Sequence, residues 1–336
     1  MWTLRRACAL FASLASLAGC SAAVPSGNSP AGGALAAQRA KASLPSEILY
    51  VAGGPRLEHK PFLEVLDGTD TSGSPAPIYT IAPNRGGTFG PLAVDSHNTL
   101  YVANQFPNGA IIESFSSGAT TPSTLCTLTY LPQRIAVRNG TLYVPAPGFK
   151  IDEYSLPLSG PNCPRPTRVL LDRYALLRGS TNGLVGVAAD ETGNVYDSWE
   201  DTNGFGGRID RFRPGSVDAQ LYGVGGKNFS GFDLTTDAHG HVITNVDDYG
   251  ASNFNEIAVY PRALRKPLLS YPLDDGQYLG VALANNETEL FMAKDYPSTQ
   301  VDVYAYDATT GTVGKVIRSF SNIWYYAQPI AVYSRN

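Results

Sequence analysis

The residues best suited to chemistry in this chain are acids set among aromatic and amide side chains. Two polar stretches carry them: Asp197-Ser-Trp-Glu-Asp-Thr-Asn203 and Asn245-Val-Asp-Asp-Tyr-Gly-Ala-Ser-Asn-Phe-Asn255, with Lys294-Asp-Tyr296 adding a third. Asp197, Glu200, Asp201, Asp247 and Asp248 offer oxygen ligands of the kind that hold Ca²⁺ or another hard divalent cation. Trp199, Asp201, Asn203, Asp247, Asp248, Tyr249 and Asp295, joined by Arg134, Tyr278 and Tyr326, combine aromatic faces with amides and charges, as peptide, protein or glycan ligands require. No Gly-x-Ser-x-Gly elbow accompanies the four histidines, so no Ser-His-Asp arrangement is marked and no catalytic residue is assigned. His239-Gly-His241 falls in a turn, where a solvated loop outweighs a metal pair. Gly223-Val-Gly-Gly-Lys-Asn228 fails as a phosphate loop, because Leu221 replaces the first glycine and Asn228 the Ser or Thr.

Such residues need a scaffold, and the chain writes one six times. Aligned first strands fall at Leu92, Ile135, Val187, Leu234, Val281 and Ile330, at intervals of 43, 52, 47, 47 and 49 residues. That spacing is the period of propeller blades. The next residue is small each time: Ala93, Ala136, Ala188, Thr235, Ala282 and Ala331, as crowding of six innermost strands around a channel favours. Second strands align on Leu49-Tyr50, Leu100-Tyr101, Leu142-Tyr143, Val195-Tyr196, Val242-Ile243 and Leu290-Phe291. The fold expected is all-β, a six-bladed β-propeller of four-stranded blades over residues 47–336. The first copy lacks an innermost strand and the C-terminus holds a spare one, Pro329-Ile-Ala-Val-Tyr333, so pairing the two should close the ring. Loops on the face bearing the second-to-third-strand connections and the crossings between blades should form the ligand site.

Composition agrees and excludes some functions. Charged residues make 16% of the chain, with 34 glycines and 24 prolines, which favours many short strands over long helices. The net charge of -4, without a basic stripe, argues against a nucleic-acid partner. Arg5 and Arg6 precede an apolar run over Ala7–Ala18, too short to span a membrane, so residues 1–19 read as a signal peptide. Residues 20–46 are mostly Ala, Ser, Gly and Pro, a flexible tether reaching ~25 to 30 Å. Cys126 and Cys163 sit on the outer parts of adjacent blades, where a disulfide and two separate thiols are both open readings.

Two resemblances add to this. Leu17-Ala-Gly-Cys20 resembles the lipobox of bacterial lipoproteins, which implies lipidation at Cys20 and an extracytoplasmic protein anchored to a membrane, the outer one in a Gram-negative host. The turns Asp95-Ser-His-Asn98, Asp190-Glu-Thr-Gly-Asn194 and Asp237-Ala-His-Gly-His241 resemble those of NHL-type propellers and of the SMP-30/gluconolactonase group. That likeness implies a binding module or, as the alternative, a metal-dependent lactonase-like hydrolase or streptogramin-lyase-like enzyme. The Glu-Gly-Pro opening of the lactonase group is replaced here by Gly53-Gly-Pro55, so none of its catalytic residues carries over. A monomer with a lipid anchor at Cys20 and a peptide, protein or glycan ligand is the expectation.

Overall fold

The structure, a computed structural model, describes residues 44–53, 62–83, 87–178, 183–200, 206–220, 223–227, 230–248, 254–274, 277–284, 286–296, 299–321 and 330–335. Six four-stranded antiparallel sheets are present. Blade two is β4 (Thr88–Val94), β5 (Leu100–Phe106), β6 (Gly109–Phe115) and β7 (Thr124–Leu128), from the axis outward. Blade three follows with β8 (Ala136–Arg138), β9 (Thr141–Ala146), β10 (Lys150–Ser155) and β11 (Arg168–Leu171). Blade four has β12 (Leu184–Ala189), β13 (Val195–Glu200), β14 (Gly206–Phe212) and β15 (Val224–Lys227). Blade five has β16 (Ser230–Thr236), β17 (Val242–Asp248), β18 (Phe254–Tyr260) and β19 (Leu269–Pro272). Blade six has β20 (Gln277–Leu283), β21 (Glu289–Tyr296), β22 (Gln300–Asp307) and β23 (Thr312–Ser321).

Blade one joins the two ends of the chain. Its strands β1 (Glu47–Gly53), β2 (Phe62–Asp67) and β3 (Tyr79–Ile81) are completed on the axis by β24 (Ile330–Ser334), which pairs antiparallel with β1 from Glu47↔Ser334 to Val51↔Ile330. The ring therefore closes as the repeat requires. Polar contacts lock the seam: Arg318 binds Glu47 at 2.5 Å and also Glu289, while the Ser334 hydroxyl donates to Glu47 at 2.9 Å. Burial, and then the charge of Glu289, push the Glu47 carboxyl up to about 7.

Hydrophobic clusters lie between neighbouring blades rather than on one side of each. Leu49, Val51 and Leu66 of blade one pack with Phe291, Val301 and Phe320 of blade six, and Tyr143, Ile151 and Leu170 of blade three pack with Val195, Trp199 and Phe212 of blade four. Each sheet thus buries both faces, and a polar residue in mid-strand meets another blade instead of water. Three of the turns after the innermost strands are held by aspartates, Asp95, Asp190 and Asp237. Asp95 Oδ1 accepts N–H groups from His97 and Thr99 at 2.9 and 2.8 Å, and Asn98 takes φ 60°, a left-handed conformation that Asn tolerates.

Cys126 of β7 and Cys163, 37 residues on, form a disulfide that ties blade two to blade three. Backbone bonds from Thr127 to Pro161 and from Cys163 to Thr127 flank it. Closing a loop of this length removes unfolded-state entropy worth about 3 to 4 kcal/mol. The Cys126→Ser chain should therefore melt ~8 °C lower than the parent by calorimetry, and a reductant should lower the parent's midpoint and leave the variant's unchanged.

Candidate functional site

Six innermost strands surround an axial cavity of about 480 Å³. Its walls are the aliphatic and small residues of the repeat, among them Leu92, Ala93, Val187, Ala188, Val281 and Ala282. At the level where the innermost strands begin, Arg134 crosses the axis from blade three. Its Nε lies 3.2 Å from Asp233 Oδ1 of blade five, and its guanidinium donates to the Leu279 carbonyl of blade six. Asp233 also accepts N–H groups from Leu234 and Val281 at 3.0 and 3.2 Å. Burial raises the Asp233 carboxyl, and Arg134 opposes that rise.

The far end of the cavity is open, with exposed Ser96, Glu191 and Arg335 at its rim beside half-buried Arg138 and Glu287. Arg138 and Glu191 meet there at 2.8 Å. The rim carries both signs of charge, and among the described residues Tyr333 is the one aromatic residue of the lining. Among the described residues the open mouth faces the turns that follow the innermost strands. The loops of the opposite face, where the sequence predicts the ligand site, lie largely outside the described residues, and the Arg134–Asp233 bridge stands at that end of the channel.

The residues singled out from sequence fall into three groups. Arg134, Tyr278 and Trp199 are built into the body rather than displayed. Tyr278 is buried, its hydroxyl donating to Asp274 at 3.0 Å and Asp302 at 3.2 Å, and Trp199 is buried with Nε1 donating to Asp210 at 3.0 Å. Glu200 ends β13, Asp247 and Asp248 end β17, and Asp295 lies near the end of β21, placed by backbone alone. Cys20, Asp201, Asn203, Tyr249 and Tyr326 lie outside the described residues. His241 Nδ1 sits 2.7 Å from Asp237 Oδ2, which also accepts from the Tyr306 hydroxyl at 2.8 Å, while Asp237 Oδ1 accepts the His241 N–H at 2.8 Å, so this histidine braces a turn.

Asp197 has partners that the sequence reading missed. It meets Asp172 and Asp210, with one oxygen of each within 4.8 Å of the others, and all three are buried. Asp197 and Asp210 oppose one another across β13 and β14. Asp172 caps α1 (Arg173–Arg178) in the connection from blade three, its Oδ1 accepting the N–H groups of Tyr174 and Ala175 at 2.8 and 3.0 Å. Asp210 accepts from Trp199 Nε1 and from Arg208 Nε at 2.6 Å. The guanidinium of Arg208 stacks 4.2 Å from the Tyr174 ring. Burial, reinforced by Asp210, pushes Asp172 up to about 7, and burial with both neighbouring charges drives Asp197 well above the carboxylate range. Asp210 is raised by burial and held back by Trp199 and Arg208.

This closed ring of six four-stranded blades around an axial cavity defines the chain as a six-bladed β-propeller. No protein-family model matches the sequence, and no curated protein sequence does either. Solved structures do match. A putative 6-phosphogluconolactonase from Bacteroides uniformis is similar at a TM-score of 0.54 and 11% identity, over 83% of this chain and 84% of that one. Hydrazine synthase of Kuenenia stuttgartiensis matches at 0.53 and 14%, over 73% of this chain and 70% of that one. The WD40 domain of Toxoplasma gondii coronin matches at 0.52 and 14%, over 84% and 72%. At such identities the likeness establishes the propeller fold alone, a fold that hosts many unrelated functions.

Proposed function

We propose that the chain is an extracytoplasmic lipoprotein, anchored through Cys20, whose propeller binds a short peptide segment entering the axial cavity from its open mouth. The cavity carries this reading. Its volume, about 480 Å³, lies in the range of ~300 to 1,000 Å³ typical of ligand pockets. The cavity presents more polar than apolar surface, which suits hydrogen bonding to a peptide backbone, and Arg138 and Arg335 beside Glu191 and Glu287 suit a ligand with both signs of charge. A peptide has both. A glycan site would be paved with aromatic faces, and among the described residues the lining holds Tyr333 alone. Catalysis has less support, since Asp233, the acid deepest in the lining, is bound to Arg134 rather than directed at a ligand. The resemblance of Leu17-Ala-Gly-Cys20 to a lipobox supports the anchor.

Peptides selected from a random display library on the purified chain provide the test. Ser96→Trp, an exposed change at the rim, should weaken the selected peptides at least tenfold by calorimetry while leaving the melting midpoint in place. Cys20→Ser should move the protein from the membrane to the soluble fraction without altering peptide affinity. A library that yields no binder, or binders indifferent to Ser96→Trp, would refute the cavity as the site.

A further inference from the structure

We propose that Asp172, Asp197 and Asp210 hold a Ca²⁺ ion between blades three and four. The repeat itself supplies the first ground. At the cross-strand position that blade four fills with Asp197 and Asp210, the other blades pair Val51 with Glu64, Val102 with Glu113, Val144 with Asp152, Thr244 with Ala258 and Met292 with Asp302. One acid per pair is ordinary here, and tyrosine hydroxyls serve it: Tyr130 donates to Asp152 at 2.8 Å and Tyr278 to Asp302 at 3.2 Å. Blade four alone opposes two acids, an arrangement that destabilises a sheet unless something neutralises it.

The second ground is unmet bonding. Asp197 is fully buried and neither of its oxygens has a hydrogen-bond partner, nor has Oδ2 of Asp172. Three carboxylate oxygens are thus unbonded in a cluster where one oxygen of each acid lies within 4.8 Å of the others. Buried carboxylates left in this state are paired with cations or bind metals. Among the described residues the charges point to the valence: three carboxylates and the Arg208 guanidinium leave two negative charges, which one dication cancels. Ligand type favours the ion: an all-carboxylate oxygen set suits a hard dication, and Ca²⁺ accepts irregular geometry where Mg²⁺ demands a near-ideal octahedron. The site is distinct from the axial cavity and does not depend on what that cavity binds.

Because the three acids are closed off from solvent, the ion is taken up as the chain folds, and the test begins from denatured protein. Refolded with CaCl₂ and then desalted, the chain should retain one Ca²⁺ by elemental analysis. Its midpoint should lie ~5 °C or more above that of chain refolded in chelator. Refolding with Tb³⁺ should give lanthanide luminescence on exciting Trp199. Asp197→Asn should lose the ion and the calcium-dependent shift, yet melt no lower than the parent in chelator, since it removes an uncompensated buried charge. Asp197→Val, which places there the residue of blades one, two and three, should melt higher than the parent in chelator. Absence of bound Ca²⁺, a midpoint indifferent to it, or variants that lose equal stability with and without it would overturn the site in favour of carboxyls that share protons.

Discussion

Removing Ile330 to Asn336 should abolish cooperative folding of the whole body. The deletion takes away β24, the axial strand of blade one, and leaves the inner edge of β1 without its ladder from Glu47 to Val51. Ile330 and Val332 are buried in the seam with blade six, and burying side chains of their size is worth ~1.5 to 3 kcal/mol each. Ser334, which serves Glu47, goes with them, leaving that acid buried with less support. These losses approach the ~5 to 15 kcal/mol that hold a domain together, and the bared edge is a template for aggregation. Calorimetry and size exclusion would check this. A truncated chain that remains monomeric and melts in one transition near the parent's midpoint would mean that the ring does not depend on its closure.

The next largest effect is expected from Arg134→Met. The change keeps much of the side-chain volume and removes the cation that crosses the channel, so Asp233 is left buried with backbone N–H groups as its main partners. Breaking a buried pair from one side costs ~3 to 5 kcal/mol. The sign with pH follows from the direction of the Asp233 shift. A carboxyl raised by burial, with Arg134 no longer opposing, binds a proton more tightly in the folded state than in the unfolded one. The penalty is accordingly small below the ordinary carboxylate range and grows as pH rises through it toward the folded value. Melting at acid and neutral pH would show a gap from the parent that widens on the neutral side. Adding Asp233→Asn to Arg134→Met should recover part of the loss, since it removes the stranded charge; equal losses at both pH values would put Arg134 outside any such pair.

Fold and site were legible to different depths, for a physical reason. The blades could be counted because each strand repeats a local pattern: an apolar residue followed by a small one, as in Leu92-Ala93, and an apolar residue followed by a tyrosine, as in Leu100-Tyr101. Ring closure followed from a missing strand at one end and a spare at the other. Side-chain direction across blades is another matter. Arg134 looked like a surface donor, yet its partners Asp233 and the Leu279 carbonyl are brought to it only by closure of the ring. Tyr278 and Trp199 looked like an aromatic platform, but sheets packed on both faces turn mid-strand residues into neighbouring blades.

The acid cluster was half visible. Asp197 departs from Val51, Val102, Val144, Thr244 and Met292 at its position, a contrast available from the alignment of second strands alone. Asp172 carried a cap signal ahead of Arg-Tyr-Ala-Leu-Leu-Arg178, which a search tuned to strand periods passes over. That the two meet Asp210 could not be read locally, because Asp172 arrives from the connection out of blade three. Asp210 itself is written like Glu113 and Asp302, so nothing in its own strand sets it apart.

The central claim is that the ligand enters the axial cavity at the open mouth. Amide hydrogen exchange on the intact chain, with and without a selected peptide, tests it most directly. Protection is expected to rise at the ends of the innermost strands around Ser96, Arg138, Glu191, Glu287 and Arg335, with the outermost strands β7, β11 and β19 unchanged. Protection confined to the outermost strands, with those five positions exchanging as before, would contradict it.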